Sequence, residues 1–433
     1  MRLVSTKDPN NQVSFVEAAQ KGLANDGGLF TPVSLPILPR SFMDSLPSMS
    51  FQEIAFAISR TALAGEIPDA ALREIIERAL KFPAPLRYLG EHLAVLELFH
   101  GPTLAFKDFG AQFMAQVMAH IDRNEARNRT ILVATSGDTG SAVAHGFHGL
   151  EGMRVVLIYP SGKISSIQEL QLTTIGGNVS AIEVDGTFDD CQSLVKAAFM
   201  DRDLSSRMRL TSANSINIAR LLPQTFYYAS AVAQLREPAR PVVIAVPSGN
   251  LGNLTAGLMA WKMGLSVEKF VGATNINQAL PRYVHTGRME SAPAQPTISN
   301  AMDVGNPSNL SRIRALFDDN LTQLRQILVS SSHTDAATRD AIKDLYRTYR
   351  YVMDPHGAVA YCGLREYQPR GSAAALGIVL ETAHPAKFLD VFDGTMRRAI
   401  EIPERLRRAL KGKKSAVQLP PRLDAFKEFL LST

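Results

Sequence analysis

Short apolar runs bounded by turn residues recur along most of the chain: LAVLELF, TILVATS, RVVLIYP, VSAIEV, PVVIAVP, KFVGAT and ALGIVLE. Each is apolar along its whole length rather than at alternate positions, the pattern of strands covered on both faces. Amphipathic stretches lie between them. FGAQFMAQVMAHI sets Phe109, Phe113, Val117 and Ile121 on one stripe at helical spacing. Strands alternating with helices predict parallel sheets with helices packed on both sides, an α/β fold. Upstream, SFQEIAFAISRTAL and DAALREIIERALKF read as helices. The expected division is a mainly helical segment over residues 1–92, a smaller α/β domain over 93–237 and a larger one over 238–433.

In such folds ligands gather where strand ends meet helix starts. HGPTLAFKDFG puts Lys107 at the first turn of a helix, close to Phe106 and Phe109. A base is misplaced there for stability, because the free N–H groups make that end positive. The same field and the apolar neighbours favour a neutral, reactive amine. PVVIAVP runs into SGNLGNLTAGL, so Gly249, Asn250, Leu251, Gly252 and Asn253 open a helix. Two glycines let successive N–H groups converge into a cup for a phosphate dianion. The loop is neither a Walker A nor a GxGxxG motif, and taken alone it is equally a tight connection with Asn caps.

TSGDTGSA offers the hydroxyls of Ser136 and Thr139 as a grip for a carboxylate, with Ser136 or Asp138 expected to cap the following helix. TSANSINIARLLPQTFYYA sets Asn214, Ser215 and Asn217 at the start of a long helix with Arg220 one turn inside. That arrangement suits a second phosphate, unless Arg220 reaches a surface carboxylate instead. An amine beside a phosphate cup suggests pyridoxal 5'-phosphate, which links to the amine and is anchored by its phosphate. The other two sites then fit an amino acid that carries a phosphate of its own.

Composition narrows the alternatives. The 433 residues are 45% hydrophobic and 20% charged with a formal net charge of +5, an ordinary globular balance. Basic residues in MRRAIEIPERLRRALKGKK fall at helical spacing and read as a solvated face rather than a nucleic-acid surface. Cys191 and Cys362 lack any metal-ligand spacing and read as reduced thiols. No apolar run reaches membrane-spanning length, and MRLVSTKDPNNQVSF has no signal-peptide core, so the cytoplasm is the expected location. His145 and His148 are spaced HxxH without a third acidic ligand, and no metal is expected.

Eight segments in order, QVSFVEAAQKGLANDGGLFTP, HGPTLAFKDFG, TSGDTGSA, ANSINIARL, PSGNLGN, AMDVGNPSN, DPHGAVA and TAHPAKF, resemble those of the threonine synthases. These are pyridoxal-phosphate enzymes of fold type II, with a tryptophan synthase β-like architecture. The resemblance implies that Lys107 is the Schiff-base lysine and that Gly249, Asn250, Leu251 and Asn253 hold the cofactor phosphate. It also implies that Thr382 offers its hydroxyl to the pyridine nitrogen. Where many relatives of the wider fold read SGN, this chain reads SGD, so Asp138 is a candidate neighbour of the cofactor's ring oxygen.

The implied reaction converts O-phospho-L-homoserine and water to L-threonine and phosphate. Lys107 would take the α proton, Asn214, Ser215, Asn217 and Arg220 would hold the leaving phosphate, and Ser136 and Thr139 the α-carboxylate. Other reactions on the same scaffold are a phosphohomoserine phospholyase and a serine or threonine dehydratase. A different class is a non-catalytic amino-acid or phosphate-binding protein. A monomer or homodimer is expected, with one domain closing over the other.

Overall fold

A computed structural model describes residues 1–123, 125–367 and 375–432, and in it each of the seven apolar runs forms a strand. A small antiparallel ribbon pairs β1 (Leu3–Ser5) with β2 (Phe30–Pro32) across the short helix Phe15–Lys21, and further helices follow. Of these, Phe51–Leu63 starts with a reciprocal capping box between Ser50 and Glu53, and Asp69–Ala79 follows. They pack over the helix Lys107–Ile121, where Phe51, which opens the first, and Phe82, just past the second, meet Phe109 edge-on at ring-centroid distances of 5.5 and 4.8 Å. Phe109, Phe113 and Val117 are completely buried, each gaining about 1.5–3 kcal/mol from leaving water. The N-terminal segment thus fixes the helix that begins with Lys107.

Next come β3 (Leu86–Tyr88) and β4 (Leu93–Glu97), then β5 (Arg129–Ala134), β6 (Met153–Pro160), β7 (Val179–Val184) and β8 (Arg209–Ser212). The remainder supplies β9 (Val242–Pro247), β10 (Lys269–Thr274), β11 (Leu328–Ser332), β12 (Leu376–Glu381) and β13 (Val417–Leu419). One sheet has six strands in the order β11-β10-β9-β12-β4-β3, parallel except for β3. The other has five parallel strands, β13-β7-β6-β5-β8.

Sheet membership does not follow the linear division. β4, inside 93–237, pairs with β12 in the six-stranded sheet, and β13, inside 238–433, pairs with β7 in the other. Local periodicity identifies a strand, whereas its partner is chosen by packing across the whole chain. The long helix expected after Asn217 is also broken. A single turn, Ile218–Leu221, ends before Pro223, and the helix Gln224–Ala233 resumes beyond it, because proline has no N–H for the ladder. Among the described residues no helix is long and apolar enough to cross a membrane.

Candidate active site

Three adjacent parallel strands aim their carboxyl ends at one place. Glu97 of β4 is in register with Glu381 of β12, and Ile378 of β12 with Ile244 of β9. The chain leaves β4 toward Lys107, β12 into Thr382 and β9 into the loop at Gly249. Phe106 donates its N–H to the Thr382 carbonyl at 2.9 Å, which sets buried Thr382 beside the start of the lysine's helix. In the second sheet β5 and β8 are neighbours, so the Thr135–Thr139 turn and the Asn214–Arg220 stretch emerge together.

Lys107 is the first residue of its helix, and its Nζ lies 3.7 Å from Asp138 Oδ2. Burial lowers the lysine's pKa; Asp138 opposes that shift, while Lys387 and Arg220 reinforce it. Asp138 Oδ1 receives Lys387 Nζ at 2.6 Å and Gln168 Nε2 at 3.1 Å. Burial alone would raise this carboxyl, but the two lysine charges and the hydrogen bonds outweigh it and hold Asp138 well below the usual carboxylate range. Lys387, fully buried, also donates to the Thr103 carbonyl at 3.0 Å. Sequence reasoning missed it, although a lysine between Ala386 and Phe388 in an apolar turn was a signal.

Neither Ser136 nor Asp138 caps the helix Asp138–Phe147. Thr135 Oγ1 instead accepts the N–H groups of Gly137 at 3.0 Å and Gly140 at 2.8 Å, while Asp138 is drawn toward the lysines. Ser136 and Thr139 stay partly exposed in this turn. Gly137 has φ 132°, and a Cβ there would sit 2.6 Å from the Gln168 side chain.

The loop after β9 is tightly held. A Cβ on Gly249 would lie 2.7 Å from the Met302 Cα, and Leu251, at φ 62°, takes a left-handed conformation costly for a branched residue. Asn250 donates to Ser215 Oγ at 2.8 Å and accepts the Ser308 N–H at 2.6 Å, joining two stretches far apart in sequence. Asn253 Oδ1 accepts both the Tyr227 and the Tyr228 hydroxyl at 2.7 Å, leaving its buried Nδ2 with no partner among the described residues. An unpaired amide donor at the start of the eleven-residue helix Gly252–Lys262 fits a phosphate dianion, and with Lys107 it meets what pyridoxal phosphate requires.

Among the described residues Arg220 reaches no surface carboxylate. It is 3% exposed, donates through Nη1 to the Ala213 carbonyl, and leaves Nε unpaired among the described residues. Asn214 donates to the Ala134 carbonyl at 2.7 Å and accepts from Ser212 Oγ at 3.2 Å, which leaves one amide hydrogen for a ligand. Asn217 departs from expectation. Its two amide hydrogens go to the carbonyls of Ala19 and Ser212 at 2.9 and 3.0 Å, and its Oδ1 caps the Ala219 N–H at 3.0 Å. It shapes the segment and has no donor left for substrate.

A second missed residue is Arg312, fully buried and donating to the carbonyls of Phe30, Ser215 and Ile216 and to Asn309 Oδ1. All four acceptors are neutral, so its charge adds positive potential beneath the Asn214–Asn217 segment. Lys107, Lys387, Arg220 and Arg312 are opposed by Asp138, Asp354 and Asp108, and burial pushes the Asp108 carboxyl up to about 6, so positive charge prevails and suits anions.

The chain is similar to known proteins over nearly all of its length. Residues 80–380 match the family model described as pyridoxal-phosphate dependent enzyme, 2–80 that of the threonine synthase N terminus, and 357–430 that of the threonine synthase C-terminal region. The threonine synthase of Serratia marcescens is 44% identical over 407 residues, covering 94% of this chain and 93% of its own. The crystal structure of threonine synthase from Escherichia coli superposes with a TM-score of 0.91 at 41% identity, covering 100% of both chains. A pyridoxal-phosphate-bound threonine synthase from Brucella melitensis gives 0.90 at 34% identity, covering 99% of this chain and 98% of its own.

Proposed function

Because this chain belongs to the threonine synthase family of fold type II pyridoxal-phosphate enzymes, we propose that it converts O-phospho-L-homoserine and water to L-threonine and phosphate. Pyridoxal phosphate is its cofactor and, when bound, supplies an aldehyde that joins to amines and a ring that spreads the electron pair left at the substrate's α carbon. Backbone N–H groups of Gly249, Leu251 and Gly252, with Asn253 Nδ2, would hold its phosphate. Asn250 locks that loop to Ser215, and the Thr382 hydroxyl would meet the ring nitrogen.

The observation that carries the substrate reading is Arg220. A buried guanidinium whose Nε has no partner among the described residues, beside Asn214 and Ser215 and apart from the Gly249 loop, supports a second phosphate-bearing ligand. Lys107, once its amine is free, takes the α proton as general base, which requires the neutral form that burial favours. A base takes the β proton as phosphate departs from the γ carbon toward Arg220, Ser215 and the remaining hydrogen of Asn214. The γ carbon then gains a proton, water gives its hydroxyl to the β carbon, and return of the α proton completes threonine. Ser136 and Thr139 hold the α-carboxylate through the reaction. The free thiols Cys191 and Cys362 support a reducing compartment, and we place the reaction in the cytoplasm.

Purified protein given O-phospho-L-homoserine is expected to release phosphate and threonine in equal amounts. Keto acid and ammonia in place of threonine would overturn this reading in favour of a phospholyase.

A further inference from the structure

Asp138 lies between two lysines. Its Oδ2 is 3.7 Å from Lys107 Nζ and its Oδ1 2.6 Å from Lys387 Nζ, and the Lys387 side chain has no exposed surface. A carboxylate with Lys107 as its sole cation would keep that amine protonated, the wrong state for a base. Lys387 occupies the far oxygen and offsets the charge, while Gln168 contributes only a neutral hydrogen bond. We propose that Lys387 is a positioning residue for the reaction: its ion pair with Asp138 cancels the carboxylate's pull on the Lys107 proton and leaves Oδ2 to orient the freed amine. This rests on the role given to Lys107 above.

Other charged groups bear on Lys107 from their own elements. Arg220 acts in the same sense as Lys387 and Asp354 in the opposite one. Asp354 is already hydrogen-bonded to His356 Nδ1 at 2.5 Å. Asp108, on the lysine's own helix, accepts from the Thr103 N–H and hydroxyl at 2.8 and 2.7 Å. None of them touches Asp138 Oδ1, so none replaces Lys387.

The test is competitive amine labelling of the full-length protein, stripped of cofactor, with Lys107 modification followed by mass spectrometry across pH. Lys387→Gln is expected to raise the Lys107 labelling midpoint by about one pH unit or more. The acid limb of the kcat profile in the loaded enzyme should move the same way. Adding Asp138→Asn should return the midpoint to that of the natural chain. An unchanged midpoint in Lys387→Gln overturns the proposal. Should that variant fail to fold, Asp138→Asn with Lys387 intact decides: a Lys107 midpoint lower by about a unit supports the ion-pair role, and an unchanged midpoint overturns it. Labelling reads the lysine's proton whether or not phosphohomoserine is turned over, so failure of the substrate reading is a separate result.

Discussion

Tyr227 donates its hydroxyl hydrogen to Asn253 Oδ1 at 2.7 Å, and its neighbour Tyr228 donates to the same oxygen at 2.7 Å. With the carbonyl end held twice over, the amide has only Nδ2 to present to a ligand. Asn253→Asp would set a negative charge where a donor faces the cofactor phosphate. A hydrogen bond to a charged group contributes about 1.5–3 kcal/mol, so cofactor affinity should fall about tenfold or more. Absorbance titration of the stripped protein measures it, and Tyr227→Phe with Tyr228→Phe should lie between. Undiminished affinity in Asn253→Asp would remove this residue from the phosphate site.

Lys107→Ala should lose the visible absorbance of the bound cofactor, and its kcat should drop by roughly 10²–10⁴ from the missing base alone. A variant that keeps the spectrum of the natural protein would displace Lys107 from the centre of the site.

Arg220→Lys keeps the charge but gives up the planar fork. The KM for phosphohomoserine is expected to rise about tenfold or more, with cofactor affinity changed much less. Steady-state kinetics beside a cofactor titration separates the two. Equal losses in both would assign Arg220 to the cofactor instead.

His384 Nδ1 accepts the Ala386 N–H at 3.1 Å and so caps the short turn Pro385–Lys387, with its ring edge-on to Phe99 at 5.1 Å. Burial first, then the neighbouring His100, pushes its pKa down from 6.5 to about 4. A folded value below the unfolded one means that the neutral ring stabilises the protein above pH 6.5, and that this contribution fades as pH falls to about 4. Urea-unfolding midpoints of His384→Asn should therefore decline less steeply across that interval than those of the natural chain. Parallel declines would show that the ring does not titrate there.

The strands bordering the site were readable because runs buried on both faces are apolar throughout. Lys107 stood out because a base at a helix start contradicts the stability rule. What stayed hidden was a matter of distant partners. Asn217 reads as a polar cap, but nothing local says that its amide is consumed by the carbonyl of Ala19, 198 positions earlier. Lys387 sits in a three-residue turn too short for any periodicity, and its counter-charge lies on another sheet's helix. The break at Pro223 was legible in the segment itself, since proline brings no N–H to the ladder. Thr135 replaced Ser136 and Asp138 as the cap because the lysine charges, invisible in the segment, claimed the aspartate.

β12 lies between β4 and β9 although the ribosome makes it last of the three. A nascent polypeptide therefore carries an open seam in its larger sheet until nearly all of it has emerged, and Thr382 and Lys387 arrive later still. The vitamin-derived group therefore finds its full lining only once residue 387 has emerged. Premature termination upstream of residue 376 would leave β4 and β9 without the strand that joins them, and the site without Thr382 and Lys387.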